Sequence, residues 1–301
     1  MEEDRAWPVL PLPSIIGSSP MRSRLVIRPT SPCPLCGPVR QAAANWVRKV
    51  LRLWRGPGFI SFHCARCGES GYVREDERRS IDREALRRFQ AEAAARERDE
   101  AVARRAKALA LWQRRQPLAG TPAETYLRLT RGIAGALPAT LGYLPPRGDY
   151  RSALIAAFGI PNEPEPGRLA IADKAVAGVH LIKIKRDGSG KADIEPQKIM
   201  IGRSKGTPIV LAPMNDALGL VITEGVEDAL SMHAATGLGA WAAGAASRLP
   251  ALAESVPSYT DTVSVMADAD PDGQHHAREL AQRLETRGFA EVNLVDLRAP
   301  R

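Results

Sequence analysis

The sequence predicts a multidomain protein of mixed α/β and α+β class, and three observations carry that prediction. All four cysteines fall within residues 30–75, in two Cys-x-x-Cys pairs. Residues 80–116 contain neither proline nor glycine and are dominated by Ala, Arg and Glu. From Leu218 onward, apolar runs alternate with amphipathic segments in a β-α-β-α pattern, as in a mostly parallel sheet with helices on both faces. The expected order is a flexible N-terminal tail (1–29) rich in Pro, Ser and Gly, a small cysteine ribbon (30–79) and a helical connector (80–135). A basic mixed α+β subdomain (136–213) and a C-terminal doubly wound parallel sheet (214–301) follow.

Charge is distributed unevenly along this order. The net formal charge is +8, yet from Met214 onward thirteen acids face six bases, which leaves +15 on residues 1–213. Between Arg5 and Gly68 there are ten Lys or Arg and no acid. A basic front half joined to an acidic back half suits a polyanion grip coupled to a divalent-cation site. No run of eighteen apolar residues exists, and the N-terminus MEEDRAWP lacks an apolar leader region. A cytoplasmic location is therefore expected, where four cysteines favour metal over disulfides.

Cys33-x-x-Cys36 and Cys64-x-x-Cys67 are separated by 27 residues. Two such knuckles let four thiolates surround one Zn²⁺ tetrahedrally at about 2.3 Å per bond, a closed and structural site. Gly37 and Gly68 follow the knuckles, where a tight turn around sulfur favours positive φ. His63, beside Cys64, reads as a neighbour of the site rather than a ligand. Between the knuckles, WVRKVLRLWR, Gly56-Pro57-Gly58 and FISFHC predict two strands across a turn. There Trp46, Trp54, Phe59 and Phe62 interleave with Arg48, Lys49, Arg52, Arg55 and Arg66. Aromatic faces stack bases at ~1–3 kcal/mol each while guanidiniums hold phosphates. A nucleic acid is thus the expected ligand, with Trp46, Arg48, Arg52 and Trp54 as candidate contacts. Part of the aromatic set must instead fill the core of so small a ribbon.

Ser80 is the expected N-cap of the connector helix and Pro117 its stop. Being polar nearly all round, the helix reads as solvated. Residues 121–135 predict a short helix with a glycine stop. Strands are expected at 152–158, 169–173 and 178–185, with a hairpin turn at Asp187-Gly188-Ser189-Gly190. In the C-terminal region, strands at 218–222, 262–267 and 291–297 alternate with helices at 226–236 and 274–287. The second helix carries Ala277, Leu280, Ala281 and Leu284 on one face. Gly237-x-Gly239-x-x-Ala242 mimics a dinucleotide fingerprint but precedes a candidate strand, and is set aside. His275 and His276 read as surface residues at a helix start, and His180 and His233 belong to no motif.

Glu224 lies just beyond strand 218–222, and Asp228 one helical turn later. Strand 262–267 runs into Asp268-Ala269-Asp270-Pro271-Asp272-Gly273. In a doubly wound sheet both groups project from the carboxyl edge, where ligands bind. Carboxylates ~4 Å apart repel by ~4 kcal/mol per pair at an effective dielectric of about 20, so the cluster calls for a counter-charge. Mg²⁺ or Mn²⁺ fits, since both take oxygen ligands and hold substrate phosphates. The expected ligands are Glu224, Asp228, Asp268, Asp270 and Asp272. Two competing readings are a polar turn that caps the next helix and a calcium loop ending at Glu279. The loop is disfavoured because a strand, not a helix, leads into it.

These residues resemble the Toprim domain of bacterial DnaG-type and satellite-phage-type primases. The matching pieces are Glu224-Gly225-x-x-Asp228 after one strand and Asp268-x-Asp270-x-x-Gly273 after another. The ribbon end FHCARCGESG resembles the primase zinc domain. The stretch GVHLIKIKRDGSGKADIEPQKIMIGRSKG resembles the basic region that precedes Toprim, and the order of parts agrees. The resemblance covers residues 30–75 and 165–297. It implies that Glu224 is a general acid/base or metal ligand, that Asp268 and Asp270 are the metal-binding pair, and that Asp228 supports them. It further implies that Lys198, Arg203 and Lys205 contact nucleotide or template phosphates, with Lys183, Lys185 and Lys191 along the same approach.

The implied activity is magnesium- or manganese-dependent synthesis of short primers from nucleoside triphosphates on single-stranded DNA. The implied setting is replication of a mobile element, with a replicative helicase as candidate partner. Such primases carry a further acidic motif after the third strand, for which only Asp296 is present here. The number of metals therefore stays open. Two alternatives remain: a metal-dependent nuclease that uses water as attacker, and a non-catalytic DNA-binding protein of the recombination-mediator kind.

Overall fold

The computed structural model describes residues 26–36, 49–64, 69–74 and 83–296. Ser80, Gly37, Gly68 and Arg66 lie outside them, as do Trp46, Arg48 and Cys67. The chain divides into two compact units, Met1–Ala95 and Arg96–Arg301. Among the described residues no helix is long and apolar enough to cross a membrane.

The first unit holds a four-stranded antiparallel sheet in sequential order, β1 (Val26–Ser31), β2 (Leu51–Gly56), β3 (Phe59–Cys64) and β4 (Ser70–Arg74). Residues 26–29, expected in the tail, belong instead to β1, because Val26 and Ile27 pair with Trp54 and Leu53 of β2. β2 and β3 pair from Gly56 opposite Phe59 to Leu51 opposite Cys64. A Cβ on Gly56 would stand 2.3 Å from the Phe59 ring, so only glycine lets that ring fold back over the turn. Phe59 is buried and meets Tyr72 and Phe89 edge to face, while Phe62 covers Gly71. Phe59 is thus a core residue of the ribbon, while Phe62 is half-buried.

The unit boundary falls within helix α1 (Arg83–Gln113). The expectation of a solvated connector holds for most of its length and fails in its last turns. There Ala108 and Trp112 are fully buried among Ile155, Ala157 and Val179. Their partners come from distant strands, so the helix's own periodicity carries no sign of them. α2 (Pro122–Thr125) runs straight into a π-helical turn, Tyr126–Thr130, which buries Tyr126 and Leu127.

The second unit contains two main sheets. One is antiparallel in the order β10-β9-β6-β5, built from β5 (Leu141–Leu144), β6 (Ala153–Phe158), β9 (Gly178–Lys183) and β10 (Lys198–Gly202). A side hairpin of β7 (Asn162–Glu165) and β8 (Arg168–Ala170) stands where a longer strand was expected at 169–173. The expected turn after β9 forms, with Gly188 at φ +77° and Ile184 paired with Lys191.

The other sheet has the order β11-β13-β12-β14-β15. It comprises β11 (Ile209–Ala212), β12 (Gly219–Thr223), β13 (Gly239–Ala242), β14 (Thr262–Ala267) and β15 (Glu291–Asp296). β12 to β15 are parallel, and β11 is an antiparallel edge. β11 had been expected with the basic subdomain but belongs to this sheet. Gly239, set aside in the fingerprint string, opens β13. A Cβ there would stand 2.8 Å from the Met214 backbone, so the glycine serves close chain approach.

Side-chain alternation builds a core on each face of this sheet. α3 (Val226–Thr236) packs Val226, Ala229 and Leu230 with Val221 and Ala240 on one face. α4 (Pro271–Thr286) and the 3₁₀ segment Ala246–Ser255 pack Leu280, Leu284, Leu249 and Leu252 against Leu220, Ile222, Val263 and Val265 on the other. The first cluster also takes in Leu154, Phe158 and Ile182, so the antiparallel sheet lies against the α3 side. Leu220 is fully buried. Leu220→Ala is expected to cost about 2–5 kcal/mol, read as a lower urea midpoint at unchanged slope. An unchanged midpoint would mean that the second face tolerates a void.

Candidate functional site

After β12 the chain moves to β13 on one side, then crosses to β14 on the other, so the strand order reverses between β12 and β14. Ligand crevices of open parallel sheets open at the carboxyl ends of such strands. Pairing of Ile222 with Val265 sets Glu224 level with Ala267, one residue before Asp268. The Ala243 and Gly244 amides donate to the carbonyls of Thr223 and Glu224, each at 2.9 Å, and zip the two loops together. The Thr223 hydroxyl donates to Gly225 O at 2.7 Å.

Both motif glycines are explained by close approach. A Cβ on Gly225 would stand 2.2 Å from Asp228 Oδ2, and one on Gly273 would stand 2.8 Å from Asp268 Cβ. Glycine therefore lets the Asp228 carboxylate fold back over Gly225 at the start of α3, and lets the Asp268 Cβ and backbone pack against the first turn of α4. Asp270 caps α4, its Oδ1 accepting from the Gly273 amide at 2.7 Å. The polar-turn reading is thus correct for one oxygen of that residue. Asp272 is exposed in the first turn.

Residues 44 apart in sequence share one electrostatic neighbourhood. Burial, then Asp268, push the Glu224 carboxyl above its usual range, opposed by Lys198 and joined by Asp270; the Ala246 amide opposes as well. Asp268 is pushed up by burial, Asp228 and Asp270, again against Lys198. These acids form no dry cage. Among the described residues, the sets of three donor groups within 4.8 Å are Cys33/Cys36/Cys64 and His275/His276/Glu279. An all-oxygen set this open suits Mg²⁺, which keeps several of its waters.

The basic residues separate into distinct roles. Lys198 on β10 pairs with Ile182 and shares a strand face with Met200, which packs toward the β11–β13 side. It is the cation that both Glu224 and Asp268 feel. Lys183 shares the opposite face of β9 with Val179 and Leu181, whose cluster packs on Trp112, so it points away from the acids. Lys185 is half-exposed and pairs with Asp193 at 3.2 Å. Arg203 and Lys205 are exposed in the loop after β10. A cleft of about 620 Å³ beside Lys185 is also lined by Tyr150 and Arg151, which stand in no recognisable motif, and by Arg186 of the basic stretch.

Lys191, expected on the nucleotide approach, is instead engaged by a residue that sequence reading missed. Glu227 is 2% exposed, lies one position before Asp228, and is 3.3 Å from Lys191 Nζ. The Tyr126 hydroxyl donates to the same Glu227 oxygen at 2.7 Å. Burial pushes the Glu227 carboxyl up, but Lys191 and Tyr126 outweigh it and hold it below the usual range. His180, also buried and without a motif, has its pKa pushed down to about 4 by burial and Lys198, so it is neutral beside this pair.

In the ribbon, Cys33 and Cys64 are buried and Cys36 is half-buried. Cys36 Sγ and Cys64 Sγ are 3.7 Å apart. A disulfide needs ~2.05 Å, whereas sulfurs on a tetrahedral zinc with ~2.3 Å bonds stand ~3.8 Å apart. The three thiols therefore fit a zinc ion. Cross-strand register sets Arg52, Trp54, Ser61, His63 and Tyr72 on one face of the sheet. Arg52 and Tyr72 are exposed there, and Trp54 and His63 are half-buried. Tyr72 escaped sequence reading because it follows the second knuckle.

Residues 219–300 match the Toprim domain, and the C-terminal parallel sheet is such a domain. Residues 102–211 match a domain of unknown function (DUF7146), spanning the last turns of α1 through β11. No curated protein matches the chain. Among solved structures the chain is similar to the primase fragment of the bacteriophage T7 primase-helicase protein, with 12% identity and a TM-score of 0.34. That match covers 79% of this chain and 84% of the other. It is also similar to the zinc-binding and RNA polymerase domains of the Aquifex aeolicus primase, with 17% identity and a TM-score of 0.40, over 82% and 73% of the two chains.

Glu227→Gln should destabilise the second unit by about 3 kcal/mol, because Lys191 loses its partner in a largely buried setting. Tyr126→Phe should cost about 1.5–3 kcal/mol. With its pKa held low, Glu227 contributes stability above the ordinary glutamate pKa and loses it as pH falls through the depressed folded value. Urea unfolding at neutral and acidic pH should therefore show the Gln variant converging on wild type in acid. A constant gap at every pH would sink this assignment.

Proposed function

We propose that this chain, which carries a Toprim domain over residues 219–300, is a primase-type nucleotidyltransferase. It would join ribonucleotides from nucleoside triphosphates on single-stranded DNA. The observation that carries this reading is the pair Glu224 and Asp268, both with raised pKa, at the strand-order reversal and opposite Lys198. Such an edge suits phosphoryl chemistry, in which charge develops on oxygens and catalysis consists largely of positioning and charge stabilisation.

Asp268 and the outer oxygen of Asp270, with Glu224 and Asp228 beside them, are the groups that would hold Mg²⁺ or Mn²⁺. A bound ion supplies neutralisation of triphosphate charge at this edge. Glu224, with its raised pKa, is the group suited to take the proton from an attacking 3′-hydroxyl. Lys198 opposes the rise in the pKa of Glu224 and Asp268 and, with Arg203 and Lys205, offers cations to nucleotide and template phosphates. The ribbon face of Arg52, Trp54 and Tyr72 is suited to stack and hold unpaired template bases. A separate helicase is the partner expected to supply unwound template.

Labelled nucleoside triphosphates and single-stranded DNA, incubated with Mg²⁺ or Mn²⁺, should yield short oligonucleotides. Asp268→Ala/Asp270→Ala should lower the yield at least about 100-fold. DNA cleavage without synthesis would replace this reading by a nuclease on the same acids. DNA binding with no product from wild type or variant would leave a non-catalytic binding protein. Lys198→Ala removes the charge that lowers both acidic pKa values, so the acidic limb of the pH–activity profile should move to higher pH. A limb that does not move would separate Lys198 from the site.

A further inference from the structure

We propose that His275, His276 and Glu279, on the first turns of α4, form a site for a first-row transition-metal cation such as Zn²⁺. This site is separate from the cysteine ribbon and from the oxygen-only acid edge. At 3.6 residues per turn, Glu279 falls angularly between the two histidines, ~40° from one and ~60° from the other. A ring nitrogen of each histidine and a carboxylate oxygen of Glu279 lie within 4.8 Å of one another. The two rings are 5.1 Å apart between centroids and tilted by 59°.

One gap in this group matches a metal better than a hydrogen bond. His276 Nδ1 is 3.6 Å from Glu279 Oε2, longer than a hydrogen bond, and this buried nitrogen has no hydrogen-bond partner. Two donors on a tetrahedral metal with ~2.1 Å bonds stand ~3.4 Å apart. Buried polar nitrogens without partners are rare and call for an explanation, and a cation shared with the carboxylate provides one. The other carboxylate oxygen, Oε1, accepts from Arg283 at 2.7 Å. That bond holds the carboxylate in orientation, as hydrogen-bonded neighbours of metal ligands do.

Donor type selects the ion. Two imidazoles and one carboxylate suit Zn²⁺, Co²⁺ or Ni²⁺, whereas Mg²⁺ prefers oxygen alone. Three protein donors leave a further coordination position for water or an anionic ligand.

The test uses the metal-stripped full chain in excess Mg²⁺, which fills oxygen-only sites, titrated with Co²⁺ and, in parallel, Zn²⁺. Wild type should bind a cation beyond the one held by the ribbon. With Co²⁺ this appears as a d–d absorption distinct from the sulfur-to-cobalt charge-transfer band. His275→Ala/His276→Ala, and separately Glu279→Gln, should lose that extra equivalent and its absorption while the sulfur band stays. Wild type without the extra equivalent, or both variants retaining it, overturns the proposal. A wild type that shows no sulfur band, yet shows the extra absorption and loses it in both variants, supports this site and counts against the ribbon reading instead.

Discussion

Convergence of negative charge at the point where strand order reverses between β12 and β14 is the constraint on which the rest of the second unit depends. Burial and repulsion oppose the ionisation of Glu224 and Asp268, whose pKa values are raised, with Asp228 and Asp270 among the neighbouring charges that raise them. Such an arrangement persists only if positive charge is supplied nearby. Lys198 supplies part of it from a different sheet. The antiparallel sheet is therefore more than a neighbour of the Toprim domain, because it provides a cation that the acid edge lacks.

Holding the two sheets in that relation takes both apolar and polar contacts. A single hydrophobic cluster runs from Phe158 and Ile182 to Val221 and Val226. Within the same body, Glu227 reaches from α3 to Tyr126 and Lys191. Apolar contact is non-directional, but a buried carboxylate held by a hydroxyl and an ammonium fixes one orientation. Glu227 precedes Asp228 and follows Glu224 by three residues, so whatever orients it also orients the first turn of α3. The π-helical turn that presents Tyr126, in a class of irregularity often found at functional sites, is consistent with that role.

The local devices at the site are small and geometric. Gly225 leaves room for the Asp228 carboxylate, and Gly273 for the Cβ and backbone of Asp268, which an added Cβ would displace. Asp270 uses one of its two oxygens to cap α4. In the separate first unit, Gly56 and Gly71 admit aromatic rings in the same way. A ribbon with so little apolar surface is well served by the cross-link that a cysteine-bound metal provides.

Much of this was legible in the chain. Parallel strands and amphipathic helices declare themselves through periodicity, which is why 226–236 and 262–267 coincide with α3 and β14. Cysteine spacing and the Glu-Gly-x-x-Asp and Asp-x-Asp-x-x-Gly strings are local patterns tied to local geometry, so they could be read without the fold. What could not be read arises from contacts between distant residues. β11 joins the C-terminal sheet by pairing with β13, and Trp112 is buried by strands that follow it. Lys183 and Lys198 look alike in sequence, yet strand parity and register turn one away from the acids and the other toward them. Glu227 carries no signal, because its partners lie 101 and 36 residues away. Local strings were enough to name the residue types gathered at the site. Only tertiary packing decided which cations face which acids, because charge interaction depends on distance through space and not on separation along the chain.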